Sequence, residues 1–376
     1  MIKVMHLIDG GFIGGGQMHT LSLCRNLSKE KFHSIVCAYP KGGFKEAVFA
    51  SGFEFIDIEL PKIFRTKYLS ELERKVDREN VTILHAHGGV AGMYARFMKK
   101  NYICRAKVVH TLHGIHYIHS KNMLRKYGSL YIEQYLAGHS DAYICETESD
   151  FETAKRHKII EPSSTTVINN GIETGKYARK SKDEHLMRQY GITKEDFIIG
   201  NVSRFDEQKN QKLLIKAMPE ILSAMPESKL LLIGDGKLLE DSKRLAINLG
   251  VEERVIFTGE RKDLEKFYPL MDIFALPSLW EGLSLTLLEA MASGRCILAG
   301  KIPSNSEVIE DGISGILFPP ESKNDFLEKI LMLFNDREMR EKISENAGKT
   351  SLKYDEKEMT LKTEEVYLKV INQQGT

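Results

Sequence analysis

Two carboxylates eight positions apart, Glu281 and Glu289 in WEGLSLTLLEAMASG, and two cations five apart, Arg204 and Lys209 in SRFDEQKNQ, are types and spacings that suit chemistry. The cations fall between the apolar run IIGNVS and the helical pattern QKLLIKAM. At a strand-to-helix turn they can grip both sides of a diphosphate, as Mg²⁺ does in other enzymes. Pro277 and Ser278 close a strand, and a helix reads from about Ser284. Glu281 then sits on the entering loop and Glu289 about one and a half turns inside. An acid amid Leu287, Leu288, Ala290 and Met291 is costly to bury and calls for hydroxyl or cationic partners, of which a ribose diol is one. The N–H groups at Leu283, Ser284 and Leu285 can meet sugar hydroxyls or phosphate. Gly14, Gly15 and Gly16, between a strand and MHTLSLCRNL, let backbone N–H groups approach a phosphate with no Cβ in the way. Taken singly, each feature has an ordinary reading: a tight turn, a solvated Arg and Lys, a capped and solvated helix face.

Other runs fall short of a motif. LLLIGDGKLLE offers Gly234-x-Gly236 after a strand, but Leu239 stands at the third glycine of a dinucleotide fingerprint. AGKIP at 299–303, preceded by Gly294, is one residue too long for a P-loop and has Ile302 for the hydroxyl residue. His110, His113, His116 and His119 recur every third residue, with His85-x-His87 upstream. Gly114 interrupts any helix that could gather the four, so no metal site is expected, and His113, just past a strand end in TLHG, is better placed to meet a substrate. No Asp-x-Asp occurs, so the usual carboxylate pair of a Mg²⁺ or Mn²⁺ nucleotide-sugar site is missing.

The elements that position these residues are written in the apolar runs. IKVMHLI (2–8), SIVCAY (34–39), VTILHAH (81–87), AKVVHTL (106–112), AYIC (142–145) and TTVIN (165–169) are separated by helical spacing such as Leu21, Leu23, Cys24 and Leu27. After a polar stretch the pattern restarts with DFIIGNVS, KLLLIGDG, RVIFTG, DIFALPS, CILAG and GILF. Strand alternating with helix means a parallel sheet covered on both faces. The 376 residues, 42% hydrophobic, suffice for two domains. The expected fold is α/β, with two doubly wound Rossmann-like parallel-sheet domains facing across a cleft. Residues 1–171 form the N-terminal domain, 172–195 a linker, 196–350 the C-terminal domain, and 351–376 a helix packing back toward the N-terminal domain. Ligands of such sheets bind beyond the carboxyl ends of the strands.

Fifty-three Lys and Arg against 52 Asp and Glu leave a net charge of +1, which implies no nucleic-acid partner. Cut at Gly171, the chain has 23 basic and 17 acidic residues before and 30 and 35 after, with eleven of the twelve histidines in the first part. Residues 62–75 and 121–136 mix cations with aromatics, which suits either a membrane surface or solvated helix faces with snorkelling lysines. Cysteines at 24, 37, 104, 145 and 296, odd in number and without Cys-x-x-Cys, read as free thiols in a reducing compartment. With no export signal and no long apolar span, the expected place is the cytoplasm or the inner face of the cytoplasmic membrane.

Taken together, these segments resemble the family 4 (group 1) retaining glycosyltransferases of the GT-B fold. GGGQMH at 14–19 resembles the family's glycine loop, HTLHG at 110–114 its central histidine segment, NNGIE at 169–173 its Asn-Gly-Ile, and GNVSRFDEQKN at 200–210 its Gly-Arg-(Leu/Phe)-x-x-x-Lys segment. LIGDGKLLE, RVIFTGE, the Glu281-x7-Glu289 block, EAMASG and EVIEDGISGILF follow in the family's order. Ser203 and Ser284 stand where many relatives have Gly, and Pro303-Ser304-Asn305-Ser306-Glu307 lengthens the usual Pro-Glu. The resemblance implies that Arg204 and Lys209 hold the donor diphosphate and that Gly14 and Gly15 close backbone over it. Glu289 would take the ribose hydroxyls, and Glu281, with Leu283, Ser284 and Leu285, the donor sugar. His113 would lie beside the reacting centre, with Gln17 and His19 on the acceptor side. It further implies a nucleoside diphosphate sugar as donor, UDP first and GDP next. A hexose or N-acetylhexosamine would pass with retention, without metal or cofactor, to a carbohydrate or lipid-linked acceptor in surface polysaccharide or lipopolysaccharide assembly. A GT-B nucleotide-sugar epimerase and a catalytically idle binding protein are the other readings.

Overall fold

The computed structural model describes residues 1–101 and 105–372, so Cys104 lies outside the described residues. The chain divides into one unit of Met1–Gly171 with residues from 356 onward, and a second of Ile172–Asp355.

In the first unit β1 (Ile2–Ile8), β2 (Phe32–Ala38), β3 (Glu54–Asp57), β4 (Ile83–His87), β5 (Lys107–Leu112), β6 (Ala142–Cys145) and β7 (Thr165–Val167) form a parallel sheet in the order β3-β2-β1-β4-β5-β6-β7. Successive residues point to opposite faces, and both faces are covered, which is why the strands read as continuous apolar runs. Met5, Leu7, Leu84, Ala86 and Val108 pack with Tyr94 and Met98 of the helix Gly89–Lys100. Val4, Ile83, Val109 and Ile144 pack with Leu23 of the helix Gly15–Asn26, with Leu27 just past its end, and with Met359, Val366, Tyr367 and Val370 of the helix Glu356–Asn372. That last helix is also tied by polar contacts. The Ser22 hydroxyl donates to Glu356 at 2.6 Å, Glu364 accepts the Ser28 N–H at 2.7 Å, and the Tyr367 hydroxyl lies 2.5 Å from His85 Nδ1 in the core. The edge strand β3, sequence EFID, has polar ends and no apolar run to announce it.

The second unit repeats the design with β8 (Phe197–Val202), β9 (Ser228–Ile233), β10 (Val255–Phe257), β11 (Ile273–Leu276), β12 (Cys296–Gly300) and β13 (Ile316–Phe318), ordered β10-β9-β8-β11-β12-β13. Ile198, Val202, Leu231, Phe274, Leu276 and Ile297 pack with Leu287, Leu288 and Met291 of the helix Leu285–Ala292. The alternate residues Ile199, Leu230, Leu232, Ile273, Ala275 and Leu298 pack with Leu214, Met218 and Ile221 of the helix Gln211–Ala224. Residues 172–195, expected as a linker, belong to this unit: Ile172, Tyr177, Leu186, Met187 and Ile192 are in its core. Their helices, Thr174–Tyr177 and Glu184–Gln189, are too short to show a periodicity. Residues 351–355, expected with the final helix, also fall here, where Ile172 and Asp355 form a parallel bridge.

Tyr367→Phe should leave His85 Nδ1 unpaired in the core and cost about 1–3 kcal/mol, the desolvation of one buried polar group. Thermal melts of variant and parent measure the drop; an unchanged midpoint would show that the hydroxyl is not needed there.

Candidate active site

In both sheets the connection order reverses beside the first strand, at β1/β4 and at β8/β11. Loops leaving these neighbours diverge at the carboxyl ends and open a crevice. The singled-out residues lie on these loops or on the elements next to them.

In the second unit the loop after β8 carries Arg204 and Lys209, and the loop after β11 carries Glu281. Lys209 Nζ is ion-paired with Glu281, both side chains largely buried. Gln208 Nε2 donates to the Trp280 carbonyl at 2.8 Å and to Glu281 Oε2 at 2.9 Å, and the Leu279 N–H donates to the Gln208 carbonyl at 2.8 Å. The two loops are thus stitched across the switch point. Arg204, its side chain 65% exposed, bonds Asp206 at 2.6 Å. Gln211 Nε2 donates to the Arg204 carbonyl at 2.9 Å and to the Ser203 hydroxyl at 2.7 Å, and that hydroxyl donates to Asn201. Ser203 therefore has a local role in the loop. Gly234 and Gly236, which resemble part of a dinucleotide fingerprint, have φ of +137° and +151°, and a Cβ on them would lie 2.1 Å from the Ser203 carbonyl oxygen and 2.5 Å from that of Phe205. Their work is to let two backbones touch beneath Arg204.

The helix Leu285–Ala292 starts beyond Ser284, whose hydroxyl makes no cap bond. An α-helix leaves its first-turn N–H groups without intrahelical partners, so this end suits a hydroxyl or an anion. Glu289, 9% exposed, accepts a hydrogen bond from the Tyr268 hydroxyl at 2.6 Å. Burial pushes its carboxyl up to about 7, against the lowering effect of the Tyr268 and Tyr177 hydroxyls and of Lys176. Two tyrosine hydroxyls thus partner this acid from within the protein.

In the first unit the helix Gly15–Asn26 follows β1 with Gly14 as its extended N-cap. A Cβ on Gly15 would meet nothing within 4 Å. Gln17 Nε2 donates to the Gly10 carbonyl at 3.3 Å. The histidines are gathered, though by strand register and not by the triplet spacing. His6 pairs with His85 across β1 and β4, and His87 lies two residues on, on the same face. His113, just past β5, completes a row: His6 Nδ1 is 3.2 Å from His87 Nε2, His87 Nδ1 is 3.2 Å from His113 Nε2, and His113 Nδ1 bonds Glu146. As a carboxylate Glu146 can only accept, so His113 carries its proton on Nδ1, His87 donates from Nδ1 to His113 Nε2, and His6 donates from Nδ1 to His87. Burial and, next, neighbouring rings hold His6 down at about 3 and His19 at about 4, and His87 well below its ordinary range, so all three are neutral at pH 7. His19, expected on the acceptor side, is buried with its ring edge-on to His113, centroids 5.0 Å apart. Facing nitrogens of His19, His87 and His113, and of His6, His85 and His87, lie within 4.8 Å of one another. Both His87 nitrogens, and both of His85 through Tyr367 and Thr111, are taken by hydrogen bonds. His110 points to the other face, where Nε2 donates to the Gly88 carbonyl, and His116 and His119 lie on a 3₁₀ turn outside both groups.

Sequence reasoning passed over Glu146, Gln208, Tyr177 and Tyr268. Glu146 carried the clearest signal, since it and His113 each stand one residue beyond the ends of neighbouring parallel strands.

A family described as "Glycosyltransferase Family 4" matches residues 13–176, and one described as "Glycosyl transferases group 1" matches residues 182–350. The UDP-Gal:alpha-D-GlcNAc-diphosphoundecaprenol alpha-1,3-galactosyltransferase of Escherichia coli is 25% identical over 349 residues, 89% of each chain. The N-acetyl-alpha-D-glucosaminyl L-malate synthase of Bacillus anthracis is 28% identical over 285 residues, 74% of this chain and 72% of that one. The crystal structure of Anabaena HepE in complex with UDP-glucose superposes with a TM-score of 0.88 over 98% of this chain and 100% of that one, at 21% identity, a likeness of fold. Both sheets are Rossmann-like, as in the GT-B fold of such neighbours. Since two halves of one enzyme family account in order for nearly all of the sequence, the chain belongs to the family 4 (group 1) glycosyltransferases.

Proposed function

We propose that this glycosyltransferase moves a hexose or N-acetylhexosamine, with retention and without a metal, from a nucleoside diphosphate sugar to a carbohydrate or lipid-linked acceptor in surface polysaccharide or lipopolysaccharide biosynthesis. UDP is the foremost base carrier and GDP the next. The observation that carries the reading is the stitched pair of loops at β8/β11, which joins Lys209, on the same loop as Arg204, to Glu281, three residues before the N-cap of a helix. Arg204 and the spare N–H groups of Lys209 take the diphosphate, Glu289 the ribose hydroxyls, and Glu281 with Leu283, Ser284 and Leu285 the sugar. As the bond from C1 to the phosphate oxygen breaks, negative charge grows on the leaving diphosphate, and the two cations stabilise it. The acceptor oxygen bonds C1 on the same face and gives its proton to the departing phosphate. In the first unit, Gly14 and Gly15 offer a bare helix N-terminus to an anion, Gln17 serves the acceptor side, and His113, its tautomer fixed by Glu146, stands by the sugar. The Escherichia coli relative, by its name, uses UDP-Gal and a diphosphoundecaprenol acceptor, and HepE binds UDP-glucose, which supports UDP and a lipid-linked acceptor.

No described helix is long and apolar enough to cross a membrane. The first unit nevertheless exposes Leu124, Tyr127, Tyr131 and Tyr135 along the helix Met123–Leu136, at spacings of three and four that put them on one face. Lys121, Arg125 and Lys126 flank this face, and Lys100 lies over the Tyr135 ring at 4.6 Å. An apolar face edged with cations fits the surface of an anionic bilayer.

The donor assignment is tested by thermal shift with UDP-, GDP- and ADP-sugars in EDTA, where a ligand at one hundred times its Kd stabilises by about 2.7 kcal/mol. UDP-sugars should shift the parent chain, and Arg204→Ala should lose the shift and about 10²-fold or more of transfer. As Arg204 is exposed, its own melting midpoint should stay put; transfer at the parent rate would sink the diphosphate role. Glu289→Gln separates stability from function. An acid whose folded pKa is raised contributes stability fully present below its ordinary pKa of 4.5, and loses it as pH climbs through about 7. Melts should therefore find the variant nearly equal to the parent at pH 5, more stable by about 3 kcal/mol at pH 8, and poorer in donor binding; a difference constant with pH would contradict the buried charge. Vesicle sedimentation tests the membrane face: the parent should pellet with anionic and not zwitterionic vesicles, and Leu124→Glu with Tyr131→Glu should stay in solution.

A further inference from the structure

At the amino-terminal ends of β11 and β12, the opposite end of the sheet from the loops after β8 and β11, the second unit holds a concavity of about 290 Å³. Arg179, Arg295, Arg337 and Arg340 line it, with Asp272 and Glu341. Both carboxylates are already engaged. Asp272 accepts the Ile198 N–H at 2.8 Å and lies 3.5 Å from Lys182, and Glu341 accepts from Arg337 Nε at 2.8 Å. Among the described residues Arg179, Arg295 and Arg340 have no ion pair.

Two of these three are held by neutral acceptors. Arg295 Nε donates to the Ser293 carbonyl and Nη1 to the Met271 carbonyl, each at 2.9 Å. Arg340 Nη1 donates to the carbonyls of Leu333 and Phe334, and its guanidinium lies 5.3 Å from the Phe197 ring centroid. Backbone carbonyls fix a guanidinium without cancelling its charge, and a guanidinium has five N–H donors, so each retains donors for a ligand. The Arg179 stem rests against Gly294, where a Cβ would lie 3.5 Å from its Cδ. Burial, and then the charge of Arg179, lower Arg295 to about 10, a crowding of like charges that an anion would relieve.

We propose that this concavity is a second ligand site of the unit, for a small multivalent anion of the phosphate or diphosphate class. Planar guanidinium forks match phosphate oxygens, and the volume sits at the low end of small-molecule pockets, about 300 Å³ upward, which suits one phosphorylated metabolite. The fixed arginines form the floor, and the exposed Arg179 can close on the ligand from the rim.

Calorimetric titration of sodium pyrophosphate, and separately of phosphate, at constant ionic strength tests the site. Arg204→Ala serves as the background, so that the loop after β8 contributes little. That chain should bind pyrophosphate saturably. Adding Arg179→Ala, which removes an exposed and unpaired side chain, should weaken binding about tenfold or more, the scale of one charged hydrogen bond. Adding instead Arg188→Ala, an exposed arginine away from the concavity, should leave it unchanged. Absence of saturable binding of either anion, or binding indifferent to Arg179→Ala, or equal weakening by Arg188→Ala, would overturn the proposal.

Discussion

A parallel sheet buried on both faces confines polar chemistry to the loops beyond its strand ends, and this constraint organises the rest of each unit. In β8, β9, β11 and β12 alternate residues enter cores on opposite faces, and the one charged strand residue, Lys229 near the start of β9, is paired with Asp196. What turns such an edge into a site is the reversal of strand order, which parts the loops of neighbouring strands. The second unit bridges the parted loops with side chains, Gln208 and Lys209 from one and Glu281 from the other. The first unit instead runs a file of imidazoles under its edge, from His6 through His87 to His113.

The same constraint explains what could be read from the sequence. Strands covered on both faces appear as unbroken apolar runs, and β1, β6 and β12 emerge with their bounds almost unchanged. β3, at the sheet edge with Glu54 and Asp57 at its ends, has no such run, and the short helices of 172–195 bury too few residues to show a period. The cation loop and the carboxylate pair were legible because their residues are close in sequence. The partners of those residues were not. Tyr268 reaches Glu289 across 21 positions, Glu146 reaches His113 across 33, and His6 meets His87 across 81. These meetings depend on register between strands and on how helices lie over the sheet, and neither leaves a local pattern.

The way each buried charge is partnered separates structural residues from those that can still act on a ligand. Arg96 is fully buried but paired with Glu133 at 2.7 Å, and it also bonds the Gly92 carbonyl, so it ties two helices together and leaves little field beyond the pair. Lys209 and Glu281 also neutralise one another, so their pairing fixes geometry, and Arg204, though paired with Asp206, keeps its guanidinium 65% exposed with N–H donors to spare for a ligand. Glu289 meets only hydroxyl dipoles among its close hydrogen-bond partners, and burial raises its pKa because those dipoles do not make up for the water its ionic form loses. Arg295 and Arg340 are in the converse position, cations held by carbonyls. A fold that selects only for stability pairs such charges or replaces them with apolar residues of similar size. Keeping a charge in place while withholding its counter-charge costs folding energy and leaves a preorganised field, and a ligand that supplies the missing charge, or hydrogen bonds to it, recovers part of the difference on binding.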